Sequence, residues 1–276
     1  MATLLKDLQV DEFGFSSKVA VSDTTGSRNI YMSIDRSAGF SKAQNLNIQI
    51  CTPDSPLHVL YDISEPKQGN ASRWGLDVEV PVGSSLYTFL DSLNKRVRTE
   101  ISERAAECFP SLKVDKMSDD QLNMCLYPLF KPAEDGGTTG RLKVKIIMPP
   151  TEEELSRMTK PEAERRVAET TKVHEVNSWE APSEKNSDGL FEHTVSDVSL
   201  LKGGCKVMPI IGTTGIWMNK SNCGVSFVCT SICVWKAPET AGIGMFNLGG
   251  VTTAGVKRKY KDNDEAYLPY NEEQSP

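Results

Sequence analysis

The sequence predicts a mainly β protein into which helices are inserted. Short apolar runs fill residues 200–238 and are separated by residues that suit tight turns. Apolar and polar residues alternate along 46–50 and 76–80, the period of half-buried strands. Between these runs, apolar side chains recur at spacings of three and four along 86–108, the period of a helix. Several short strands at such spacing favour a β-sandwich or a β-barrel.

The first part of the chain predicts short strands joined by loops. Residues 1–44 are polar and rich in Ser, Thr and Gly, with brief β-like runs at 18–22 and 29–34. From residue 45 the alternation is regular, and a further strand is expected at 58–63. We therefore expect an amino-terminal segment, 1–44, followed by a domain that spans 45–237.

One long and one short helix interrupt these strands. The long helix follows a cap at Gly83, Ser84 and Ser85, and Pro110 ends it. The short helix begins at Ser118, three residues before a glutamine that completes a capping box.

A basic stripe follows on the next strand. Along 141–148 the even-numbered positions are apolar, while Arg141, Lys143 and Lys145 occupy the odd-numbered ones. The charged stretch 151–171 has few large apolar residues and is interrupted at Pro161, which predicts a surface helix or a mobile excursion.

The run from 200 to 238 predicts a meander of antiparallel strands. In its last strand, alternation places Val228, Ile232 and Val234 on one face and Phe227 and Trp235 on the other. One set must belong to the core. If the aromatic set is exposed it forms a binding platform; if it is buried, Trp74 and the basic strand carry the binding.

The carboxyl-terminal part combines a glycine-rich linker with an acidic tail. Residues 238–276 begin with isolated apolar anchors, and the last fifteen residues hold five acidic residues and no basic one. The net charge of the whole chain is −6, so the remainder carries only about −1. Such a tail is either a solubilising terminus or a nucleic-acid mimic that competes with DNA for a basic groove and recruits other proteins once released.

Composition and cysteine usage exclude several classes. No apolar run approaches the roughly 20 residues of a membrane span, and the amino terminus lacks a secretory pattern. The seven cysteines lie mostly in apolar runs without a paired C-x-x-C, which favours reduced thiols and argues against a zinc site. We expect an intracellular protein that is not secreted, has no membrane span and holds no metal or cofactor.

Motifs favour binding over catalysis. The chain has no P-loop, no G-x-S-x-G and no H-E-x-x-H, so we predict that it is not an enzyme. Aromatic and basic residues on strands are what a single-stranded nucleic acid requires, since bases stack on rings while Lys and Arg neutralise phosphates. The alternative is that the aromatic residues are core and the basic ones solvated. The candidates are Arg73, Trp74, Arg141, Lys143, Lys145, Lys206, Trp217, Lys220, Phe227, Trp235 and Lys236.

Four segments carry a family resemblance. They read LxVEVPxxxxLYxFLxxLNKRV (76–97), LYPLFK (126–131), LKVKIIMP (142–149) and GIWMNKSNCGVSFVCTSICVWK (215–236). In this order they resemble the single-stranded-DNA-binding proteins of large nucleocytoplasmic DNA viruses, which are related to the replicative single-stranded-DNA-binding protein of short-tailed phages. The resemblance implies an OB-type five-stranded barrel elaborated by helices, which binds single strands without sequence preference.

The same resemblance implies partners and a cellular setting. Replication proteins such as a polymerase, primase or helicase would be recruited by the acidic tail, and the chain would form a homodimer or small oligomer during replication, recombination or repair. If viral, it would act in the cytoplasm or nucleus of an infected cell. The alternative class is a β-sandwich virion protein whose strands make subunit contacts. The expected tail contacts are Asp262, Asp264, Glu265, Tyr267, Tyr270, Glu272 and Glu273.

Overall fold

A computed structural model describes residues 3–8, 10–23, 25–33, 46–65, 73–176, 193–196, 198–213 and 215–235. The predicted linker and acidic tail, 238–276, lie outside the described residues, as does Lys236. The mainly β prediction with inserted helices is confirmed for the described part of the chain.

Strands make up most of the elements. Five α-helices are described: α1 (Ser85–Glu103), α2 (Ala105–Cys108), α3 (Asp119–Cys125), α4 (Glu152–Arg157) and α5 (Lys160–Ala168). The described strands are β1 (Thr3–Leu4), β2 (Gly14–Phe15), β3 (Ala20–Val21), β4 (Arg28–Ser33), β5 (Ile48–Gln49), β6 (Leu57–His58), β7 (Arg73–Pro81), β8 (Thr139–Ile147), β9 (Lys172–Val176), β10 (His193–Ser196), β11 (Lys206–Gly212), β12 (Gly215–Met218), β13 (Cys223–Val225) and β14 (Val228–Trp235).

Five strands form a curled sheet at the centre of the molecule. Hydrogen bonds connect β11 to β14, β14 to β8 and β8 to β7. At the other end of this path, β6 pairs with β11, and the chain that follows β6 runs along β7 through bridges Val59↔Val78 and Ser64↔Gly75. The sheet therefore curls back on itself, although isolated bridges rather than a continuous ladder complete the circuit.

This strand order is that of an OB fold. In chain order the five strands are β6, β7, β8, β11 and β14, and the fifth lies between the third and the fourth. The pairing of β8 with β14 is parallel, whereas β7–β8 and β11–β14 are antiparallel. The OB-type prediction is thus confirmed in the form of a partly open barrel. The expectation of purely antiparallel pairing is corrected, because β14 also pairs in parallel with β9.

The predicted meander at 200–238 divides between two sheets. β11 and β14 pair with each other, whereas the β12–β13 hairpin between them joins a second sheet with β4, to which β2 and β3 are also paired. The hairpin starts at Gly215, whose φ is +136° and where an added Cβ would lie 2.0 Å from the carbonyl oxygen of Ile30. Only glycine fits this approach, which brings β12 against β4.

A β-bulge at Thr230 changes which side chains of β14 are buried. Ile210 pairs with Ser231 while Ile211 pairs with Cys229, so Thr230 is an extra residue in β14. Residues on the two sides of a bulge no longer follow a single alternation.

The predicted faces of β14 are therefore wrong. Phe227, before the bulge, is buried in the core together with Ile232 and Val234, which follow it. Trp235 is also buried, but it alternates with Val234 and lies on the opposite face of β14. Phe227 and Trp235 thus do not share a face.

The two predicted helices begin at their predicted caps. The Ser84 hydroxyl accepts from the Tyr87 amide at the start of α1, and Ser118 and Gln121 form both bonds of a capping box at α3. A short break at Arg104 separates α1 from α2, and the Arg104 guanidinium there donates to the carbonyl oxygen of Ser16 at 2.7 Å. This bond fastens the long helix to the amino-terminal strands.

The charged stretch 151–171 is an excursion from one line of the sheet. β8 and β9 both lie beside β14, one after the other, and α4 and α5 fill the interval between them. The Thr171 amide donates to the Ile147 carbonyl at 3.0 Å, and the Ile147 amide donates to the Thr171 hydroxyl at 2.9 Å. Pro161 stands in the first turn of α5, where a missing N–H costs nothing, so it begins a helix rather than breaking one.

A single core joins both sheets and the long helix. Ile30 from the second sheet, Leu90 from α1, and Leu142 and Ile232 from the barrel are all fully buried in it. Among the described helices, none has the length and apolar composition that crossing a bilayer requires. The described residues also contain no group of three or more His, Cys, Asp or Glu side chains placed to hold a metal ion.

We predict that Thr171→Val destabilises the protein because it unpairs two backbone groups at the junction of β8, β9 and β14. The Thr171 hydroxyl donates to the Cys229 carbonyl at 2.6 Å and accepts from the Ile147 amide. Each buried group left unpaired costs about 1–3 kcal/mol in the free energy of unfolding. Urea unfolding measures the loss. Thr170→Val, which removes only a bond within the last turn of α5, is the matched control, and equal losses in the two variants would contradict the prediction.

Candidate nucleic-acid interface

Four of the predicted basic residues share the outer face of β7 and β8. The register pairs Glu79 with Arg141, Asp77 with Lys143, Gly75 with Lys145 and Arg73 with Ile147. Directly opposed residues of an antiparallel pair point to the same side, and the intervening residues of both strands are buried in the core. We call this outer surface, with Lys131, the β7–β8 face. Its charged and glycine positions are Arg73, Gly75, Asp77, Glu79, Lys131, Arg141, Lys143 and Lys145.

Lys131 reaches this face from a segment distant in sequence. After α3 the chain returns to β8, where the Lys131 and Arg141 backbones exchange two hydrogen bonds of 2.8 Å. Lys131 is exposed beside Arg141. Lys131 is not among the residues predicted from the sequence, since only the tertiary bridge places it here. The face then holds five basic residues against two acidic ones.

The two carboxylates of the face do not neutralise it. Arg141 Nε lies 3.6 Å from Asp77 Oδ1, so one basic residue is partly paired. Lys143 is exposed, and its side chain extends across Gly75, where an added Cβ would lie 3.0 Å from Lys143 Cε. Because Gly75 has no side chain, the Lys143 side chain can lie across β7 at this position.

Lys145 connects the face with the β12–β13 hairpin. Its Nζ donates to Ser226 Oγ at 3.0 Å, and Ser226 lies between β13 and β14. Burial lowers the pKa of Lys145 below its usual value, and the nearby positive charge of Arg73 lowers it further. An anion placed between Lys145 and Arg73 would relieve this repulsion, so the pair is electrostatically suited to a phosphate.

An aromatic pair forms where Tyr127, which follows α3, packs against Trp217 of the same hairpin. The rings of Trp217 and Tyr127 are 5.7 Å apart with an interplanar angle of 34°, and both residues are partly exposed. The indole covers Gly224, where an added Cβ would lie 3.1 Å from Trp217 Cζ2. Tyr127 is held there by its amide, which donates to the Cys223 carbonyl at 2.9 Å. Tyr127 was not among the sequence candidates; its LYPLFK segment was noted only for the family resemblance.

Of the other predicted aromatic residues, Phe227 and Trp235 are buried and Trp74 is partly buried. Phe227 is 3% exposed and Trp235 is 2% exposed, so neither offers a free ring face to a base. Trp74 alternates with Arg73, lies on the inner side of β7 and packs partly buried against the core. Because Phe227 and Trp235 are buried, the sequence alternative that applies is the one in which Trp74 and the basic strand carry the binding, and that assignment stays a prediction.

The remaining basic candidates lie apart from the β7–β8 face. Lys206 is on β11, paired with Trp235 of β14, and is partly buried. Lys220 is exposed in the turn between β12 and β13, at the tip of the hairpin that carries Trp217. Lys236 and the seven acidic-tail candidates are outside the described residues.

Comparisons with known proteins give structural matches of low TM-score and low sequence identity. No protein-family model and no curated protein matches the chain. The single-stranded DNA binding protein gp2.5 of bacteriophage T7 aligns with a TM-score of 0.40 and 14% identity, over 72% of this chain and 90% of that chain. The single-stranded DNA-binding protein of bacteriophage Enc34 aligns at 0.35 and 10%, over 83% and 96%, and its C-terminal truncation at 0.36 and 9%, over 84% and 99%. At these values the likenesses assign neither a family nor a function, and the resemblance to nucleocytoplasmic viral proteins stays a prediction.

Burial in the structure predicts which tryptophans a soluble quencher reaches. Trp217→Phe should remove part of the emission that acrylamide quenches, because its ring is partly exposed. Trp235→Phe should leave the quenchable part unchanged and remove only protected emission, because that ring is buried. Stern–Volmer titration of the two variants and the parent chain measures this. Loss of quenchable emission in the Trp235 variant would contradict the assignment.

Proposed function

We propose that this chain binds single-stranded DNA without sequence preference, with the sugar–phosphate backbone on the β7–β8 face. The observation that carries the proposal is the placement of four basic residues on the outer surface of the second and third strands of an OB-type barrel, with Lys131 bridged beside them. That surface and the adjoining loops are where OB folds bind oligonucleotides. Because these contacts go to phosphates, they favour no base sequence.

The aromatic pair favours a single strand over a duplex. Trp217 and Tyr127 present partly exposed rings, and bases can stack on such rings only when they are unpaired and unstacked. Gly224, beneath the indole, is two residues before Ser226, which contacts Lys145. Two extended residues span about 7 Å. A strand that follows the basic residues therefore comes within reach of the rings through its adjacent bases.

A role in replication, recombination or repair follows from this proposal, since exposed single strands arise in those processes. In this proposed role, the acidic tail competes with DNA for the β7–β8 face. Once displaced, the tail recruits replication proteins such as a polymerase, primase or helicase. Homodimers or small oligomers would coat longer strands. The net charge of −6 supports local rather than general attraction, because nucleic acid would approach the basic face and be repelled elsewhere.

Removal of one phosphate contact should lower both the affinity and its salt dependence. We predict that Lys143→Ala weakens binding to oligo-dT at low salt and reduces the slope of log K against log salt by about 0.7, the value for one single-strand contact. Lys143→Glu should weaken binding more, because it also repels phosphate. Fluorescence titration over a series of salt concentrations measures both quantities.

The matched control is Lys160→Ala, which removes an exposed lysine from α5, away from the β7–β8 face. It should leave the affinity and the slope unchanged. An equal effect of the two alanine variants would show that only net charge matters. Binding by the parent chain that does not depend on salt would reject the proposed interface.

The acidic tail provides a separate test. A chain that ends at Tyr260 should bind oligo-dT more tightly, on the order of tenfold at low salt, because a competing anion has been removed. A full-length variant in which the five tail acids become Asn and Gln should behave likewise, since charge rather than length is responsible. Unchanged affinity in both variants would reject competition by the tail while leaving the interface itself in place.

A further inference from the structure

Two cysteines from distant parts of the sequence meet beside the aromatic pair. Cys125 ends α3 and Cys223 begins β13, 98 residues later, and their Sγ atoms lie 3.9 Å apart. The segments that carry them are already joined, because Leu126 and Cys223 form a parallel bridge and the Tyr127 amide donates to the Cys223 carbonyl at 2.9 Å. Both sulfur atoms are thus held in place by backbone contacts.

The separation is short enough for a covalent bond after a small movement. A disulfide requires an S–S distance of about 2.05 Å, so each sulfur must move by about 1 Å, which side-chain rotation supplies. Each Sγ also approaches a carbonyl oxygen of the α3 end, Cys125 that of Leu122 and Cys223 that of Cys125, both at 3.7 Å. The side chains therefore lie over the same short stretch of backbone.

The two thiols differ in accessibility and acidity. Cys125 is partly exposed, next to Met124, which is 85% exposed, whereas Cys223 is fully buried. The hydrogen bond between the two thiols lowers the pKa of Cys125, and the same bond together with burial raises the pKa of Cys223. A small oxidant therefore reaches Cys125, which is also the thiol that ionises first. The Cys223 sulfur lies next to it on the buried side.

We propose that Cys125 and Cys223 are a redox-sensitive pair that forms an intramolecular disulfide when a peroxide oxidises Cys125. Neither sulfur belongs to the β7–β8 face, and the disulfide can form whether or not the chain binds nucleic acid. It adjoins the aromatic pair, because Cys223 precedes Gly224 and Cys125 is two residues before Tyr127. The bond would fix the segment that carries Tyr127 to the strand beneath Trp217.

The reaction has two balanced steps. The Cys125 thiolate attacks one oxygen of hydrogen peroxide, the O–O bond breaks, and sulfenic acid and hydroxide form. The Cys223 sulfur then attacks the sulfenic sulfur, and the hydroxyl leaves as water with the Cys223 proton. Peroxide is reduced by two electrons, and the two thiols are oxidised to one disulfide.

The test treats the full-length chain with hydrogen peroxide and maps the disulfides by mass spectrometry of peptides prepared without reductant. We expect one linked peptide that joins Cys125 to Cys223, and thermal unfolding shifted upward by about 5–10 °C, because the bond closes a long loop. Dithiothreitol should reverse both changes. The initial rate of oxidation should increase with pH up to the lowered pKa of Cys125.

Three variants make the outcome decisive. Cys125→Ser, at a partly exposed position, and Cys223→Ala should each abolish the linked peptide and the thermal shift. Cys108→Ala removes a neighbouring buried thiol and should abolish neither. Oxidation of the parent chain that stops at sulfenic or sulfinic Cys125, that links other cysteines, or that joins separate chains would overturn the proposal. So would a thermal shift on peroxide treatment that persists in Cys125→Ser.

Discussion

The structure depends on β14, which is hydrogen-bonded on both sides. On one side it pairs with β11 from Lys206 to Gly212, and on the other it pairs first with β8 and then with β9. A strand paired in this way must be apolar on its inner face, and Cys229, Ile232 and Val234 are fully buried. The bulge at Thr230 lies where β8 gives way to β9, and Thr171 bonds to the Cys229 carbonyl at that place. The bulge and the hydrogen bonds of Thr171 therefore lie where the charged excursion 151–171 leaves the sheet and returns to it.

The same strand positions the candidate interface. The ladder between β8 and β14 starts at Lys145, whose amide donates to the Phe227 carbonyl at 2.8 Å. This bond brings the end of the β12–β13 hairpin against β8 and places Ser226 next to the Lys145 ammonium. Phe227 is buried and so offers no ring to a base, but it anchors the segment that presents Ser226. The basic strand β8 and the segment that follows the β12–β13 hairpin are therefore connected through Phe227 and Ser226.

Sequence patterns predicted the features that depend on local chemistry. The caps at Ser84 and Ser118, the buried and exposed alternation of β7 and β8 and the charged character of 151–171 follow from side chains near one another in the chain. The bulge at Thr230 did not follow, because a bulge is a mismatch of register between two strands and leaves no mark on one of them. Lys131 was missed for a related reason, since its bridge to Arg141 is a tertiary contact. The approach of Cys125 to Cys223 likewise depends on where α3 ends relative to a hairpin of the second sheet.

The β7–β8 face has basic residues but no aromatic ring among its described positions. This constrains how a single strand of nucleic acid could lie on it. Lysine and arginine bind phosphates whatever the base sequence, but these contacts do not hold the bases. Bases that stay in water contribute little to the binding free energy. Trp217 and Tyr127, beyond Ser226, present partly exposed rings past the Lys145 end of the face. A strand bound through its phosphates to Lys143 and Lys145 would turn its bases toward the hairpin rather than onto the sheet. If the chain binds as proposed, the hairpin contributes to affinity as well as to the fold, and its attachment to α3 affects how well the rings are presented.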